Sequence, residues 1–395
     1  MINFTRNYLL VSQSKYCESL ARFISNYGKN DIQGRMRAWQ IHAYGGIDCL
    51  SLNDSARVPP IKHPDDVLVE ISASSVNPID VAMMGGYGAR LLSVGRRTTL
   101  SPDQIEFPLT LGRDFCGEIV EKGHGVTENL KVGDKVWGVL SPFHPGCHAQ
   151  YAVAPVSNVS LKPSNLTDIE AAAVLYAAVT AWSSLKITGE LCLQSANGKR
   201  VLVMGGSGGV GSCAIQMLKA WGAQVVATCN TDAVTFVDTL GADCVIDYTD
   251  PDAERRIMEE GKYDIILNAA GVSNTLYEET LKSKGCAKYI TVTSPLLRNV
   301  DRHGLALGMI KNVIDFVSSN LSLRSTPFFL GGPSVRWGYF IPSAKAIEEI
   351  SELSSSGKLM PSVERTYKFS ELQAAYQKVL DGHSRGKTVI DMKSM

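Results

Sequence analysis

Three glycines at fixed spacing carry the strongest chemical signal in this 395-residue chain. In VLVMGGSGGVGSCAIQMLKAWGA, residues 201–223, Gly206, Gly208 and Gly211 satisfy G-x-G-x-x-G between an apolar run and a helix-like run. The spacing suits a dinucleotide: the first glycine permits a tight turn, the second lets the backbone approach a pyrophosphate, and the third lets the helix pack on the strand. The helix N-terminus then offers free N–H groups and a partial positive charge to the phosphates. The pattern alone also describes a bare structural turn, so its surroundings decide. No Gly-Lys-Ser/Thr follows, which excludes a Walker-type phosphate loop.

The end of the next strand bears on which dinucleotide fits. An NAD site usually places Asp or Glu there to hold the ribose 2′-hydroxyl, and such a carboxylate repels a 2′-phosphate. Here the strand ends Thr228, Cys229, Asn230, Thr231, and Tyr248 follows the third strand. Neutral donors favour NADPH. Against this, no Lys or Arg lies within 224–250, and Asp232 is close by; a 2′-phosphate needs a counter-charge from elsewhere.

These residues need elements to position them. Residues 200–206, 223–230, 244–248, 263–271 and 287–294 read as strands separated by helix-like segments, with helices over Val210 to Trp221 and up to Gly241. Strand and helix in succession predict a parallel sheet wound with crossover helices. Ahead of it, 66–76, 114–123 and 133–140 are short β-rich runs bounded by Gly, Pro and Asn, giving a mostly β domain. The helical stretch 166–185 separates the two, opened by a Thr167/Glu170 capping box. The tail from 335 reads helix, strand, helix and a final strand that rejoins the β domain. Trp39, Trp137 and Trp182 sit in apolar-patterned segments and are expected in the core, and Asp134 in a turn.

Composition sets outer limits. Hydrophobic residues make up 45% of the chain, and Lys+Arg and Asp+Glu balance at 39 each, so charge favours neither nucleic acid nor an anionic membrane. The apolar run at 169–182 is shorter than the roughly 20 residues of a spanning helix. The nine cysteines form no C-x-x-C pair and read as free thiols in a reducing compartment. Within the first 30 residues, Arg6, Lys15, Arg22 and Lys29 face only Glu18, and Leu9, Tyr16, Leu20 and Phe23 share one helical face. Residues 1–34 read as a mitochondrial transit peptide or as a disordered extension.

Together, SSVNPIDVAMMGGYG (74–88), FPLTLGRDFCGEIVEKG (107–123), KVGDKVWG (131–138), GGSGGVG and LGADCVIDY resemble the zinc-free quinone oxidoreductase branch of the medium-chain dehydrogenase/reductase superfamily, over roughly 37–395. RWGYF (336–340) and GHSRGKTVI (382–390) resemble its mitochondrial reticulon-interacting members. The resemblance implies an α/β fold: a GroES-like mostly β domain at 35–165, a Rossmann-type doubly wound parallel sheet at 166–334, and a C-terminal segment, 335–395, returning to the GroES-like domain. Alcohol dehydrogenases of the superfamily hold a catalytic zinc at three positions that here carry Asn77-Pro78, Gly112-Arg113-Asp114 and Leu175-Tyr176. All three soft ligands are missing, and HPGCH, with His144, Cys147 and His148, falls short of a closed site, so no metal is expected.

The resemblance also implies a cofactor pocket of Ser207, Gly208, Gly209 and Val210 at the loop, Asn230 and Tyr248 at the adenosine, and Val292 after the fifth strand. Phe340, His383, Ser384 and Arg385 close it. Arg385, and more weakly Lys387, offers a cation to a cofactor phosphate; the other reading is a solvated loop arginine. Asn77, Asp80 and Tyr87 are the acceptor-side candidates: Tyr87 either donates a proton to a developing oxyanion or simply packs against the interdomain wall. The expected activity is zinc-independent transfer of hydride from NADPH to a quinone. An enoyl or 2-alkenal reductase and an NADPH-sensing binding protein with slow turnover are the alternatives. The resemblance further implies the mitochondrial matrix, a link to ubiquinone metabolism, a reticulon-type membrane partner and a homodimer.

Overall fold

A computed structural model describes residues 34–99, 106–272, 277–321, 323, 331–382 and 384–394. The expected leader, apart from Gly34, and His383 lie outside the described residues.

The N-terminal part is built from β1 (Arg35–Ile41), β2 (Leu50–Arg57), β3 (Asp66–Val76), β4 (Leu109–Thr110), β5 (Asp114–Lys122), β6 (Lys135–Val139), β7 (Tyr151–Pro155) and β8 (Val159–Leu161). The chain returns at its end with β15 (Val363–Lys368) and β16 (Lys387–Asp391). The main sheet runs β15-β16-β3-β5-β6-β8 with β7 also on β3, and β2-β1-β4 forms a smaller sheet. Thus GKTVI, read as a rejoining strand, lies antiparallel to β3, Thr388 opposite Val76. Val67, Val69, Phe115, Ile119 and Val136 are sealed in the core between these sheets and the helix Leu372–Asp381. Trp39, Trp137 and Trp182 are buried as expected. Asp134 accepts from the Lys131 N–H in a turn.

The second part carries β9 (Arg200–Met204), β10 (Gln224–Cys229), β11 (Cys244–Asp247), β12 (Ile265–Asn268), β13 (Lys288–Thr291) and β14 (Ser334–Trp337). All pair in parallel in the order β11-β10-β9-β12-β13-β14. Ranked by sequence this is 3-2-1-4-5-6, the doubly wound arrangement whose strand order reverses beside β9, where ligands bind. Val201, Leu202 and Val203 are fully buried because helices cover both faces of β9. The boundary expected between 334 and 335 cuts through β14, and the helix Ala344–Ser355 packs on Leu175–Trp182. The return to the β domain therefore begins later, at β15. The helices Ala89–Thr99, Leu296–His303 and Leu305–Leu321 had no counterpart in the sequence reading.

Thr167 opens the linking helix as a capping box: its hydroxyl accepts from the Glu170 N–H, and the Glu170 carboxylate accepts from the Thr167 N–H. The stretch continues through Leu175–Trp182 into a π-helical turn, Ser183–Thr188. At 21 residues, Asp168–Thr188 is longer than the apolar run suggested and passes a membrane helix by length and composition, but 78% of its most apolar window is buried within the fold.

Candidate functional site

The glycine loop leaves β9 and enters the helix Gly209–Ala220. The left-handed residue is Gly205, with φ of 80°, one position before the glycine expected to make the turn. The Gly205 and Gly206 N–H groups both donate to the Thr228 carbonyl at the end of β10. A Cβ on Gly211 would collide with the Gly205 carbonyl oxygen, the close helix-to-strand packing foreseen for the third glycine. Gly208 is the N-cap, in extended conformation, and a Cβ there would meet nothing nearer than 3.5 Å. The Gly209, Val210 and Gly211 N–H groups precede the first intrahelical bond, Ser212 N–H to Gly208 O, and stand at the positive end of the helix dipole.

The returning C-terminal segment closes on this loop through backbone. The Gly386 N–H donates to the Ser207 carbonyl at 3.1 Å, and Gly386 bridges Gly208 in parallel. Gly386 has φ of 100°, and a Cβ would strike the Ser362 carbonyl, so only glycine fits there. This contact brings Ser384 and Arg385 over the loop. Arg385 forms an ion pair with Asp232, two residues beyond Asn230; both side chains are about half exposed. Tyr248 is 52% exposed, and its N–H bonds the Cys229 carbonyl, which sets it beside the end of β10. The cation absent from 224–250 thus arrives from residue 385.

Across the sheet, Asn268 at the end of β12 organises the neighbouring loop. Its side-chain oxygen accepts from the Ala270 and Gly271 N–H groups, and its nitrogen donates to the Val272 carbonyl and the Tyr289 hydroxyl. Val292 follows β13, its N–H on the Asn268 carbonyl. Phe340 stacks on Tyr176, centroids 4.4 Å apart and planes at 20°. Ser183, in the π-helical turn, donates to the Tyr339 carbonyl and so ties that strip to the linking helix.

Tyr87 is half-buried at the junction of the two parts. Asp301, on the helix Leu296–His303, accepts from the Gly88 and Arg90 N–H groups and holds the Tyr87 loop in place. Burial raises the Tyr87 pKa, with the Arg298 cation opposing and the Asp301 carboxylate reinforcing the rise. Tyr339 is raised by burial too, with a contribution from Tyr87. The wall is therefore a set of protonated phenols and one phenyl ring, with Tyr176 likewise raised by burial.

Asn77 and Asp80 do not face this wall, and here the structure corrects the sequence reading. Asp80 is fully buried: one oxygen accepts from the Asn77 N–H at 2.9 Å, and the other accepts from the Gly112 N–H at 2.9 Å and faces the Arg113 Nε at 3.4 Å. Its carboxylate caps the helix Pro78–Met84. The Asn77 oxygen accepts from the Lys387 ammonium, and its nitrogen donates to Asp114 Oδ2 at 3.0 Å. Both polar groups are consumed internally, so neither side chain reaches an acceptor.

The residues that consume them were undervalued in the sequence. Asp114 is fully buried; its Oδ2 accepts from the Ser75 hydroxyl at 2.7 Å and from Lys387 Nζ at 3.1 Å, and its Oδ1 accepts from the Tyr176 N–H. Lys387, 6% exposed, runs past the glycine loop: a Cβ on Gly209 would lie 3.1 Å from its Cδ. It is no phosphate ligand, because its charge is spent on Asp114. Arg113 donates to the Ser141 and His144 carbonyls. These side chains occupy the three positions at which a zinc ligand set would be sought, and they do not fit a zinc ion: the donors are an amide, a carboxylate and backbone, with an ammonium already seated among them. HPGCH gives no alternative. Cys147 is sealed on the Asp114 carbonyl, and both ring nitrogens of His148 are engaged, by the Tyr376 hydroxyl and the Ser75 carbonyl.

Comparison with known proteins matches the two-part fold. A family model described as alcohol dehydrogenase GroES-like domain matches residues 63–164, and one described as zinc-binding dehydrogenase matches residues 240–390. Over 370 residues the chain is 45% identical to "NAD(P)H oxidoreductase RTN4IP1, mitochondrial" of Drosophila melanogaster, covering 91% of this chain and 87% of that protein. It is 30% identical over 373 residues to the trans-enoyl reductase pgmF of Aspergillus terreus, covering 91% and 97%. Among solved structures, the quinone oxidoreductase of Coxiella burnetii superposes with a TM-score of 0.71 at 25% identity, covering 91% of this chain and 99% of that one.

Proposed function

Since the chain belongs to the zinc-free quinone-oxidoreductase-like branch of the medium-chain dehydrogenase/reductase superfamily and is an NAD(P)H oxidoreductase, we propose that it reduces a quinone with NADPH and without a metal. The observation that carries this reading is the Lys387–Asp114–Asn77 cluster. With that cluster in place of a Lewis acid, an unactivated carbonyl is a poor substrate. An electron-poor quinone accepts hydride without such help.

The cofactor, when bound, supplies the hydride. In this reading the backbone of Ser207, Gly208, Gly209 and Val210 holds its pyrophosphate, and Asn230 and Tyr248 flank the adenosine ribose. Val292 and Phe340 line the nicotinamide end, and Ser384 comes in on the returning segment. Arg385 supplies the counter-charge for a 2′-phosphate. Its exposed pair with Asp232 is worth at most about 1 kcal/mol, so a phosphate can displace the carboxylate. Tyr87 delivers the proton that quinone reduction needs besides hydride, from a hydroxyl that burial keeps protonated at neutral pH. By analogy with the relatives' names and the RWGYF and GHSRGKTVI segments, we place the work in the mitochondrial matrix, in ubiquinone metabolism, with a reticulon-type membrane partner.

The trans-enoyl reductase among the relatives supports a second reading, in which the acceptor is an alkene conjugated to a carbonyl. Oxidation of NADPH and NADH by the purified chain, with a quinone panel and an enoyl thioester panel, separates the two. Turnover with quinones is expected, and turnover with thioesters alone moves the assignment to the alkene. Tight NADPH binding with no turnover on either panel points to a sensor. Arg385→Ala should raise KM for NADPH about tenfold or more, the loss of roughly 1.4 kcal/mol, and leave KM for NADH unchanged. A wild-type preference for NADH overturns the cofactor assignment.

A further inference from the structure

The helices Ala89–Thr99 and Leu296–His303 flank the Tyr87 loop, and their charge is lopsided. Between them they hold five arginines and a histidine against one aspartate, in a chain whose charges balance at 39 each. Four of these six basic side chains have a place in the fold. Arg96 is sealed in an ion pair with Glu106. Arg90 runs to the far end of the second helix: its Nη1 lies 3.3 Å from where a Cβ on the C-cap, Gly304, would stand. Arg302 and His303 sit in the last turn of that helix, at the negative end of its dipole.

Arg298 has no such use. It stands in the first turn of Leu296–His303, at the positive end of the dipole, where a cation is disfavoured. Asp301, one turn on, is taken by the Gly88 and Arg90 N–H groups, and among the described residues no carboxylate pairs with Arg298. The same turn packs on the Tyr87 loop: Leu297 Cδ1 lies 3.1 Å from where a Cβ on Gly88 would stand. The exposed Arg298 guanidinium is near enough to oppose the effect of burial on the Tyr87 phenol. An unpaired cation thus stands at the mouth of the cleft, beside the residue assigned to proton delivery.

We propose that the acceptor carries a carboxylate that docks on Arg298, resting on the reading that puts the acceptor beside Tyr87. A planar guanidinium takes a carboxylate through two parallel N–H···O bonds. Deeper in, Tyr87, Tyr176, Tyr339 and Phe340 offer protonated phenols and a phenyl ring, a wall for an aromatic core. The substrate is then two-ended, with its reducible ring inside and its carboxylate at the rim. Arg298 decides which way round the ring enters, and so which ring oxygen meets Tyr87. Its own charge is spent on the carboxylate and gives no help at that oxygen. A phosphate dianion is a poorer match, because it needs a second cation and Arg90 and Arg302 belong to the other end of the helix.

Calorimetric titration of the full chain, saturated with NADP+, tests this with 2,5-dihydroxybenzoate and hydroquinone, which differ only in the carboxylate. The carboxylate should bind at least about tenfold more tightly. Arg298→Gln should bring the two within about twofold, and Arg298→Lys should keep part of the preference, retaining the charge without the fork. Arg298→Glu should reverse it. Arg255→Gln, on the exposed helix Ala253–Glu260, should keep the parent preference. Equal affinities in the parent chain, no binding of 2,5-dihydroxybenzoate up to roughly 10 mM, or a preference that survives Arg298→Gln overturns the inference. A chain that reduces no quinone but keeps an Arg298-dependent preference supports it and removes only the quinone reading. A chain that reduces neutral quinones and shows no preference keeps that reading and overturns this one.

Discussion

Lys387→Met tests whether the buried cluster is an ion pair that the fold depends on. The substitution keeps most of the stem beneath Gly209 and deletes the ammonium. Asp114 is then a fully buried carboxylate without a cation, and breaking such a pair from one side costs about 3–5 kcal/mol. The Ser75 hydroxyl, the Asn77 amide and the Tyr176 N–H still donate to it, which puts the expected loss near the lower end, about 3 kcal/mol. Asp114→Asn should cost at least as much, because it leaves a buried ammonium without a counter-charge and puts an NH2 group where the Ser75, Asn77, Tyr176 and Lys387 donors converge. The double variant removes both charges, and its loss should be smaller than the sum of the singles by about 2 kcal/mol or more. For the domain that holds the cluster, a single variant should lower Tm by roughly 6–12 °C. Trp39 and Trp137 are buried in that domain, so tryptophan fluorescence during thermal and urea unfolding follows the relevant transition. Additive losses, or a single-variant loss under about 0.5 kcal/mol, would refute the ion pair as a structural clamp.

Three further outcomes are expected. Tyr87→Phe should cut kcat by about 10²-fold or more with KM for NADPH unmoved, while the wild-type rate holds from neutral pH to the phenol's raised pKa; a change within twofold makes Tyr87 a packing residue. Gly211→Ala should lower affinity for NADPH and NADH alike by about tenfold or more in calorimetric titration, because the methyl group meets backbone that cannot rotate away; unchanged affinity would contradict the close packing. His148 is held neutral by burial, its pKa below the usual 6.5, so the unfolded chain takes up a proton first as pH falls. Stability is therefore full above about pH 6.5 and declines below it towards the folded-state pKa, and Tm scans should show a shallower acid decline in His148→Gln.

What the sequence revealed follows from how local each signal is. The glycine loop was legible because its constraints are backbone constraints within ten residues: Gly211 must abut a carbonyl, and a glycine must take positive φ, although that glycine is Gly205 and not the expected Gly206. The sheet was legible from buried β-branched runs such as RVLVM. Asn77 and Asp80 were misjudged for the opposite reason. Polar residue types showed, but not their partners: Gly112 is 32 positions from Asp80, and Lys387 is 310 positions from Asn77. Arg385 stood out in the sequence as a cation near the end of the chain, yet its pairing with Asp232 across 153 positions had no local signature. In Leu305–Leu321 the apolar period was present, but period alone does not say which face turns inward.

The buried cluster also limits how the acceptor can be activated. Two of the three positions that hold a metal cation in zinc-dependent members of the superfamily here bind the Lys387 ammonium, through Asn77 and Asp114, so a positive charge remains in the same part of the fold. A metal with an open coordination site can polarise a substrate oxygen. Lys387 cannot act in that way: it is 6% exposed and committed to Asp114 and Asn77, and freeing it would leave a buried carboxylate unpaired. Electrophilic assistance must then come from groups on the cleft wall that keep an uncommitted donor. Among the described residues that singles out the phenols, and Tyr87 is the one whose loop is fixed by a carboxylate from the opposite domain. Under the proposed function, a chain built in this way suits acceptors that need little activation, and the Asp301 carboxylate, by holding the Gly88 and Arg90 N–H groups, fixes the loop from which Tyr87 would deliver its proton.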